Sequence, residues 1–336
     1  MSGSQKPQRV LLFGASGTIG TAVQSALQNT GHEVVASTRP GQFKAPIPPG
    51  SAMARNEMGA AQCPVDVLDP ASVAMAIEQF GPFDAVVSCM ASRTGMPHDA
   101  WLIDHDAHMN VLLAAQAAGV PKFVLLSAIC VQKPRLQFQF AKLAFENALK
   151  ASGLAYTIVR PTAYFKSLSG QVARVLAGKP YLLFGDGRLT ACKPISDSDL
   201  AAFMVKCLSD PESLNKLLPV GGPGPAVTPL EQGEYLFEAL GARPRYKRVP
   251  VRLMDGIAGG LALAGTVVPK LSDKAEFARI GRYYATESML VWDPEQKRYD
   301  ASQTPEFGSD TLFTHYDALL AGTEVTALGD HSVFGS

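Results

Sequence analysis

The sequence predicts an α/β fold, a doubly wound parallel sheet followed by a smaller, less regular C-terminal part. Three observations predict it. Apolar strand-like runs alternate with helix-periodic segments through the first half of the chain. A glycine-rich turn joins the first run to the first helix, and the alternation breaks down after Pro161.

Arg9-Val-Leu-Leu-Phe13 reads as the first strand, and the helix after the glycine turn runs from about Thr18 to Asn29. Glu33 to Thr38 is the second strand, entered through Gly31-His32. A loop rich in proline and glycine, Pro40 to Gly59, precedes a third strand that ends at Val65-Asp66. Ala71 to Gln79 is helical by periodicity, Asp84 to Cys89 is the fourth strand, Asp104 to Ala118 a helix and Lys122 to Ser127 the fifth strand. Phe140 to Ala151 is a helix stopped by Ser152-Gly153, and Tyr156 to Arg160 is the sixth strand. Asp197 to Leu208 (helix) and Lys216 to Gly222 (strand) are expected to return to the sheet, Pro229 to Leu240 is a further helix, and no clear sheet signal follows Val249. The expected division is therefore 1–165 with 196–222 for one domain, 166–195 with 223–322 for a substrate domain, and a flexible tail over 323–336.

Composition narrows the function. With 47% hydrophobic and 18% charged residues, and 30 basic residues balancing 30 acidic ones, the chain has no electrostatic footprint for nucleic acid. No run of like charge marks a polybasic patch. Cys63, Cys89, Cys130, Cys192 and Cys207 are odd in number and widely spaced, which points to a reduced, cytoplasmic setting. Val10 to Ile19 faintly imitates a signal peptide, but its glycines read as strand and phosphate loop. Gly256 to Pro269 is too short and glycine-rich to span a bilayer and is expected to be a packed helix, with a surface-seeking one as the alternative. The expected partner is a small molecule.

Gly14-Ala-Ser16-Gly17-Thr18-Ile19-Gly20 follows a strand and opens a helix. Backbone must approach a pyrophosphate closely there, and the helix start supplies N–H donors. In that context the glycines predict a Rossmann-like dinucleotide site, with Ser16 and Thr18 adding hydroxyl donors. Arg39 stands where an NAD-binding domain places an acid, so Ser37-Thr38-Arg39 suits the 2′-phosphate of NADPH, against the alternative of a solvated loop arginine. Asp66 and Val67 after strand three, and Cys89 and Met90 after strand four, fall in register for the adenine and its ribose.

Phe138-x-x-x-Lys142 occupies the place of the Tyr-x-x-x-Lys of short-chain dehydrogenases, a pattern found nowhere in the chain. Together with the glycine loop it resembles an atypical, NmrA-like short-chain dehydrogenase. Three longer stretches, Ile158 to Gln171, Phe184 to Ser196 and Ala278 to Leu290, with Phe140 to Glu146, resemble the divinyl chlorophyllide 8-vinyl reductases over roughly 8–320. That resemblance implies an NADPH-dependent enzyme of chlorophyll or bacteriochlorophyll synthesis that reduces the 8-vinyl group of a divinyl (proto)chlorophyllide to ethyl. Plant members carry a transit peptide, which this chain lacks; a bacterial phototroph is the expected source. The lipophilic pigment makes peripheral association with photosynthetic membranes an expectation too.

The chemistry fits the altered motif. A vinyl group conjugated to a tetrapyrrole accepts hydride without forming an oxyanion, so the missing phenol is not needed. Lys142 is expected to hold the nicotinamide ribose. Tyr164, Lys166 and Lys193 are the candidate proton donors, Tyr164 ranked first and Lys193 second, with water as an alternative. Phe138, Phe165, Lys166, Tyr283 and Tyr284 are assigned to the flat substrate, the two late tyrosines as an aromatic wall or else as core. His98, His105 and His108 invite a metal reading, with His105 and His108 able to share a helix face, but no metal site is expected. Two other functions remain open: reduction of a different conjugated double bond, as in isoflavone-reductase relatives, and a non-catalytic NADP sensor.

Overall fold

The computed structural model describes residues 6–40, 55–265 and 269–324. Most of the loop 40–59, the end of the stretch 256–269 and the tail 325–336 lie outside the described residues. The strands are β1 (Arg9–Phe13), β2 (Glu33–Thr38), β3 (Ala61–Pro64), β4 (Ala85–Ser88), β5 (Lys122–Leu126), β6 (Ala155–Pro161), β7 (Tyr181–Phe184) and β8 (Lys216–Val220). All but β7 form one sheet in the order β3-β2-β1-β4-β5-β6-β8, every neighbouring pair parallel. Leu11, Leu12, Val35, Val86, Val124 and Ile158 are fully buried, as strands covered on both faces require. The order reverses direction between β1 and β4, which opens a crevice at the carboxyl ends of the strands.

The helices in the first half are α1 (Thr18–Asn29), α2 (Pro70–Phe80), α3 (Pro97–Ala100), α4 (His108–Ala117) and α5 (Gln137–Ala151). Residues alternate across the sheet. Leu11 and Phe13 meet Ile77, Val111, Leu112 and Phe145 on one face, while Val10 and Leu12 meet Val23, Leu27, Leu200 and Met204 on the other. A widened π-helical stretch, Trp101–Ala107, joins α3 to α4, so the helix expected from Asp104 already begins at Pro97. Pro97 suits a helix start because its missing N–H would have had no partner there. Asp99 fixes the entry by accepting from the amide and hydroxyl of Thr94, each at 2.9 Å.

Beyond β6 come α6 (Phe165–Leu168), α7 (Val172–Leu176), α8 (Asp197–Ser209) and α9 (Pro229–Ala239), then β9 (Tyr246–Val249), α10 (Val251–Gly265), α11 (Pro269–Thr286), β10 (Val291–Asp293), β11 (Arg298–Asp300) and α12 (Leu312–Leu320). The segment α8 packs beside α1, and β8 extends the sheet beyond β6. A separate core gathers Phe165, Val172, Leu183, Phe237, Leu312 and Tyr316. Two small sheets escape the sequence signal: β7 pairs parallel with β9, and β10 forms a hairpin with β11. At the sheet flank, just past β8, Gly221 donates to the Pro305 carbonyl at 2.8 Å and accepts from the Phe307 amide at 2.9 Å.

Candidate functional site

The cradle is built where β1 runs into α1. Gly14 has φ +77°, and a Cβ there would stand 2.7 Å from the Cys89 carbonyl carbon. A Cβ on Gly20 would stand 2.0 Å from the Gly14 oxygen, so α1 rests directly on the loop. Gly17 is the N-cap; among the described residues no side chain caps this helix start, and its first turn holds no acid. The leading N–H groups and the positive end of the helix dipole are thus left for an anion. Ser16, Gly17 and Thr18 are exposed and Ile19 half-buried. A loop that admits no side chain at two positions and ends in open amides fits the diphosphate of a dinucleotide.

Around the cradle, Arg39 is exposed directly after β2. The Asp66 carboxylate is engaged in its own turn, accepting from the Leu68 amide at 3.0 Å, and the Val67 carbonyl accepts from Asn110 at 3.0 Å. Cys89 extends β4 through a hydrogen bond to Phe13 at 2.9 Å, and Met90 is buried beneath it. Burial pushes the Cys89 thiol up to about 12, so it packs as an inert thiol.

At the next strand ends, the Lys142 ammonium lies 2.8 Å from the fully buried Asp104 carboxylate. Ser92 donates to the same carboxylate from its amide at 3.1 Å and its hydroxyl at 2.6 Å. Asp104 lies in the π-helical stretch, the kind of local widening that often marks functional positions. A water-sized cavity of about 10 Å³ is lined by Asp104, His108, Ser127, Lys142 and apolar neighbours. His108 gives its Nδ1 hydrogen to the Ile103 carbonyl at 2.8 Å, so Nε2 accepts from Ser88 at 2.9 Å. Burial, reinforced by the Lys142 charge, pushes His108 down to about 4 and keeps it neutral. His105 pairs instead with Asp106 at 2.7 Å, so the two histidines have separate partners. Ser127 donates to Glu146 at 2.6 Å, and Glu146 is also bound by both arms of Arg160.

The side chains assigned to substrate divide. Phe138 packs with Tyr283, Cys130, Leu136 and Ile280. Tyr164 caps the start of α6; burial pushes its phenol up, and Cys89, Asp197 and Cys130 add to the shift, so it stays protonated at neutral pH. Tyr284 is 42% exposed, crosses Tyr283 edge-on with centroids 5.7 Å apart, and approaches Cys130 Sγ at 4.0 Å.

Three other assigned side chains have partners within the protein. Tyr283 is buried and donates to the carbonyls of Cys130 at 2.9 Å and Lys133 at 3.1 Å, so it is an anchor rather than a substrate wall. Phe165 is core, its ring 5.4 Å from His315. Lys193 is buried with its ammonium on Glu306, a tie to the late chain. Lys166 reaches Thr18 Oγ1 at 3.0 Å, on the cradle side.

The comparisons now bear on this geometry. A family profile described as NAD(P)H-binding matches residues 14–211. The divinyl chlorophyllide a 8-vinyl-reductase of Oryza sativa subsp. indica is 46% identical over 333 residues, covering 97% of this chain and 82% of that protein. The chain belongs to the divinyl chlorophyllide a 8-vinyl-reductase family. Two solved structures share the fold of this family member at low identity. One is AtPrR2 with NADP+ and (+)pinoresinol (TM-score 0.64, 18% identity, 93% of this chain and 98% of that one). The other is the NADPH-dependent quinone oxidoreductase QOR2 of Escherichia coli with NADPH (TM-score 0.62, 19% identity, 93% and 99%).

Sequence reasoning missed several residues of this 8-vinyl-reductase family member. Asp104 carries no motif of its own; the signal was an acid one residue after apolar Ile103 and three before Ala107 in what folds as one helical segment. Glu287, buried, gathers Lys133 at 2.7 Å, Arg135 at 3.1 Å and the Tyr299 hydroxyl at 2.6 Å. It fastens the end of α11 to the loop after β5, behind Tyr283 and Tyr284.

Proposed function

We propose that the protein reduces the 8-vinyl group of divinyl (proto)chlorophyllide a to ethyl, using NADPH, in chlorophyll or bacteriochlorophyll synthesis. The observation that carries this is a glycine cradle fit for a dinucleotide in a chain whose Phe138-x-x-x-Lys142 lacks the phenol that a carbonyl reductase needs. Bound NADPH supplies the hydride. Gly14 to Gly20 hold its diphosphate, Arg39 its 2′-phosphate and Lys142, steadied by Asp104, its nicotinamide ribose. Asp66, Val67, Cys89 and Met90 border the adenosine. Placing the reacting carbons about 3–3.5 Å apart is then the main task of the fold. The Tyr164 phenol, protonated at neutral pH like any ordinary tyrosine, delivers the proton to the other vinyl carbon. The exposed Tyr284 lies against the flat pigment, and Phe138 packs in the cluster that supports it.

In this reading 1–165 with 196–222 serve the cofactor, and 166–195 with 223–322 serve the pigment. Among the described residues no helix is long and apolar enough to cross a membrane. Exposed Leu253 on α10 and Phe277 on α11 suit contact with a membrane surface where a lipophilic pigment resides.

The test mixes purified protein, NADPH and divinyl protochlorophyllide, following the Soret band and separating the pigments by chromatography. Conversion to the monovinyl product is expected. Unchanged pigment with tight NADPH binding would instead favour an NADP sensor, and turnover of a lignan alone would favour the reductases that act on other conjugated systems.

A further inference from the structure

Lys166 is placed where a lysine is electrostatically costly. Its ammonium donates to Thr18 Oγ1 at 3.0 Å, and Thr18 is the first residue of α1. The positive end of the helix dipole repels a cation, and this helix start carries no acid in its first turn to offset it. The nearest compensation comes from Asp197, at the start of α8. Burial raises its pKa, while the Lys166 and His315 charges oppose that rise. Among the described residues, Asp197 Oδ1 is buried without a hydrogen-bond partner. A lysine held against the open amides of a helix start is an arrangement completed by an anion of high charge between ammonium and helix.

We infer that Lys166 is a cofactor ligand that closes the diphosphate cradle, rather than a contact for the pigment. The inference rests on the NADPH reading and on the NAD(P)H-binding family match, which spans Lys166. The dinucleotide's two negative charges turn the repulsion into attraction, with the ammonium shifting from Thr18 Oγ1 to phosphate oxygen. Because Lys166 is two residues beyond Tyr164, the same contact ties the α6 segment to the cofactor. Coenzyme binding would then set the position of the proton donor before the pigment enters.

Titration calorimetry of the whole chain tests this with three ligands: NADPH, 2′-phospho-ADP-ribose (diphosphate without nicotinamide) and adenosine 2′-monophosphate (no diphosphate). Lys166→Met is expected to bind the first two about 10- to 150-fold more weakly and the third as the wild type does. Lys166→Arg should stay within a few-fold on all three, which guards against a folding defect. Arg39→Met should weaken all three. If Lys166→Met binds 2′-phospho-ADP-ribose like the wild type, or changes only the pigment KM at saturating NADPH, the assignment of Lys166 is overturned. If the wild type binds none of the ligands, the NADPH reading itself fails.

Discussion

Lys142 and Asp104 form an ion pair of 2.8 Å in which the lysine side chain is 13% exposed and the carboxylate not at all. Breaking one half of such a pair leaves a buried charge uncompensated, which typically costs about 3–5 kcal/mol. Lys142→Met is therefore expected to lower stability to urea by about that amount. The double variant Asp104→Leu/Lys142→Met should regain most of it, since neither charge remains. If Lys142 also positions the nicotinamide, kcat of the double variant should stay at least about 100-fold down despite its recovered stability. Recovery of both together would reduce the pair to a structural tie.

Phe138 lies under Tyr283 and Ile280, on the helix that also carries Lys142. Phe138→Tyr is expected to leave kcat for vinyl reduction within about tenfold, a change of roughly 1.4 kcal/mol in the barrier. Steady-state kinetics with the pigment measure it. A much larger rise would mean that a phenol at this position can deliver the proton after all.

Gly20→Ala would put a methyl group 2.0 Å from the Gly14 oxygen and force the phosphate loop away from α1. Overpacking of this kind costs about 1–3 kcal/mol, so NADPH affinity should fall about 5- to 150-fold by fluorescence titration. Gly256→Ala on α10, which meets nothing within 4 Å, serves as the control and should bind normally.

His108 is buried and held neutral, its value pushed down to about 4 against 6.5 in an open chain. Below pH 6.5 the unfolded chain takes up a proton that the folded one refuses. The contribution is therefore present above pH 6.5 and is lost as pH falls from about 6.5 to 4, up to about 3 kcal/mol in all. Urea unfolding at pH 7.5 and pH 5 should show this slope, and His108→Gln should flatten it. Equal slopes for both proteins would assign the acid sensitivity elsewhere.

Residues close in sequence made much of this legible. The strands of the main sheet, the glycine turn and α1 follow from apolar runs and local turn chemistry, which need no knowledge of distant partners. The β7–β9 pair stayed hidden because each strand is only four residues long: β7 (YLLF) is apolar throughout and so shows no alternation, and the middle of β9 (YKRV) is exposed. Lys142 was recognisable from its spacing to Phe138, but Asp104 comes from another helix, and only folding brings the two together. Lys193 shows the same limit in reverse: its motif drew attention, while the Glu306 that binds it lies more than a hundred residues later. Lys166 looked like a pigment contact because it follows β6, yet its length lets it reach back to the first helix.

The flank of the main sheet at β8 carries a lesson about solubility. Lys216 puts a charge at its start, Pro219 removes an amide donor, and the 305–307 stretch occupies the backbone of Gly221 just beyond it. An open strand with free backbone groups is a template on which a second molecule can add its own strand. This chain blunts that template with a charge, an imide and a lid taken from its own late sequence, so shortening the protein before Thr304 would be expected to show first as clumping rather than as lost coenzyme affinity.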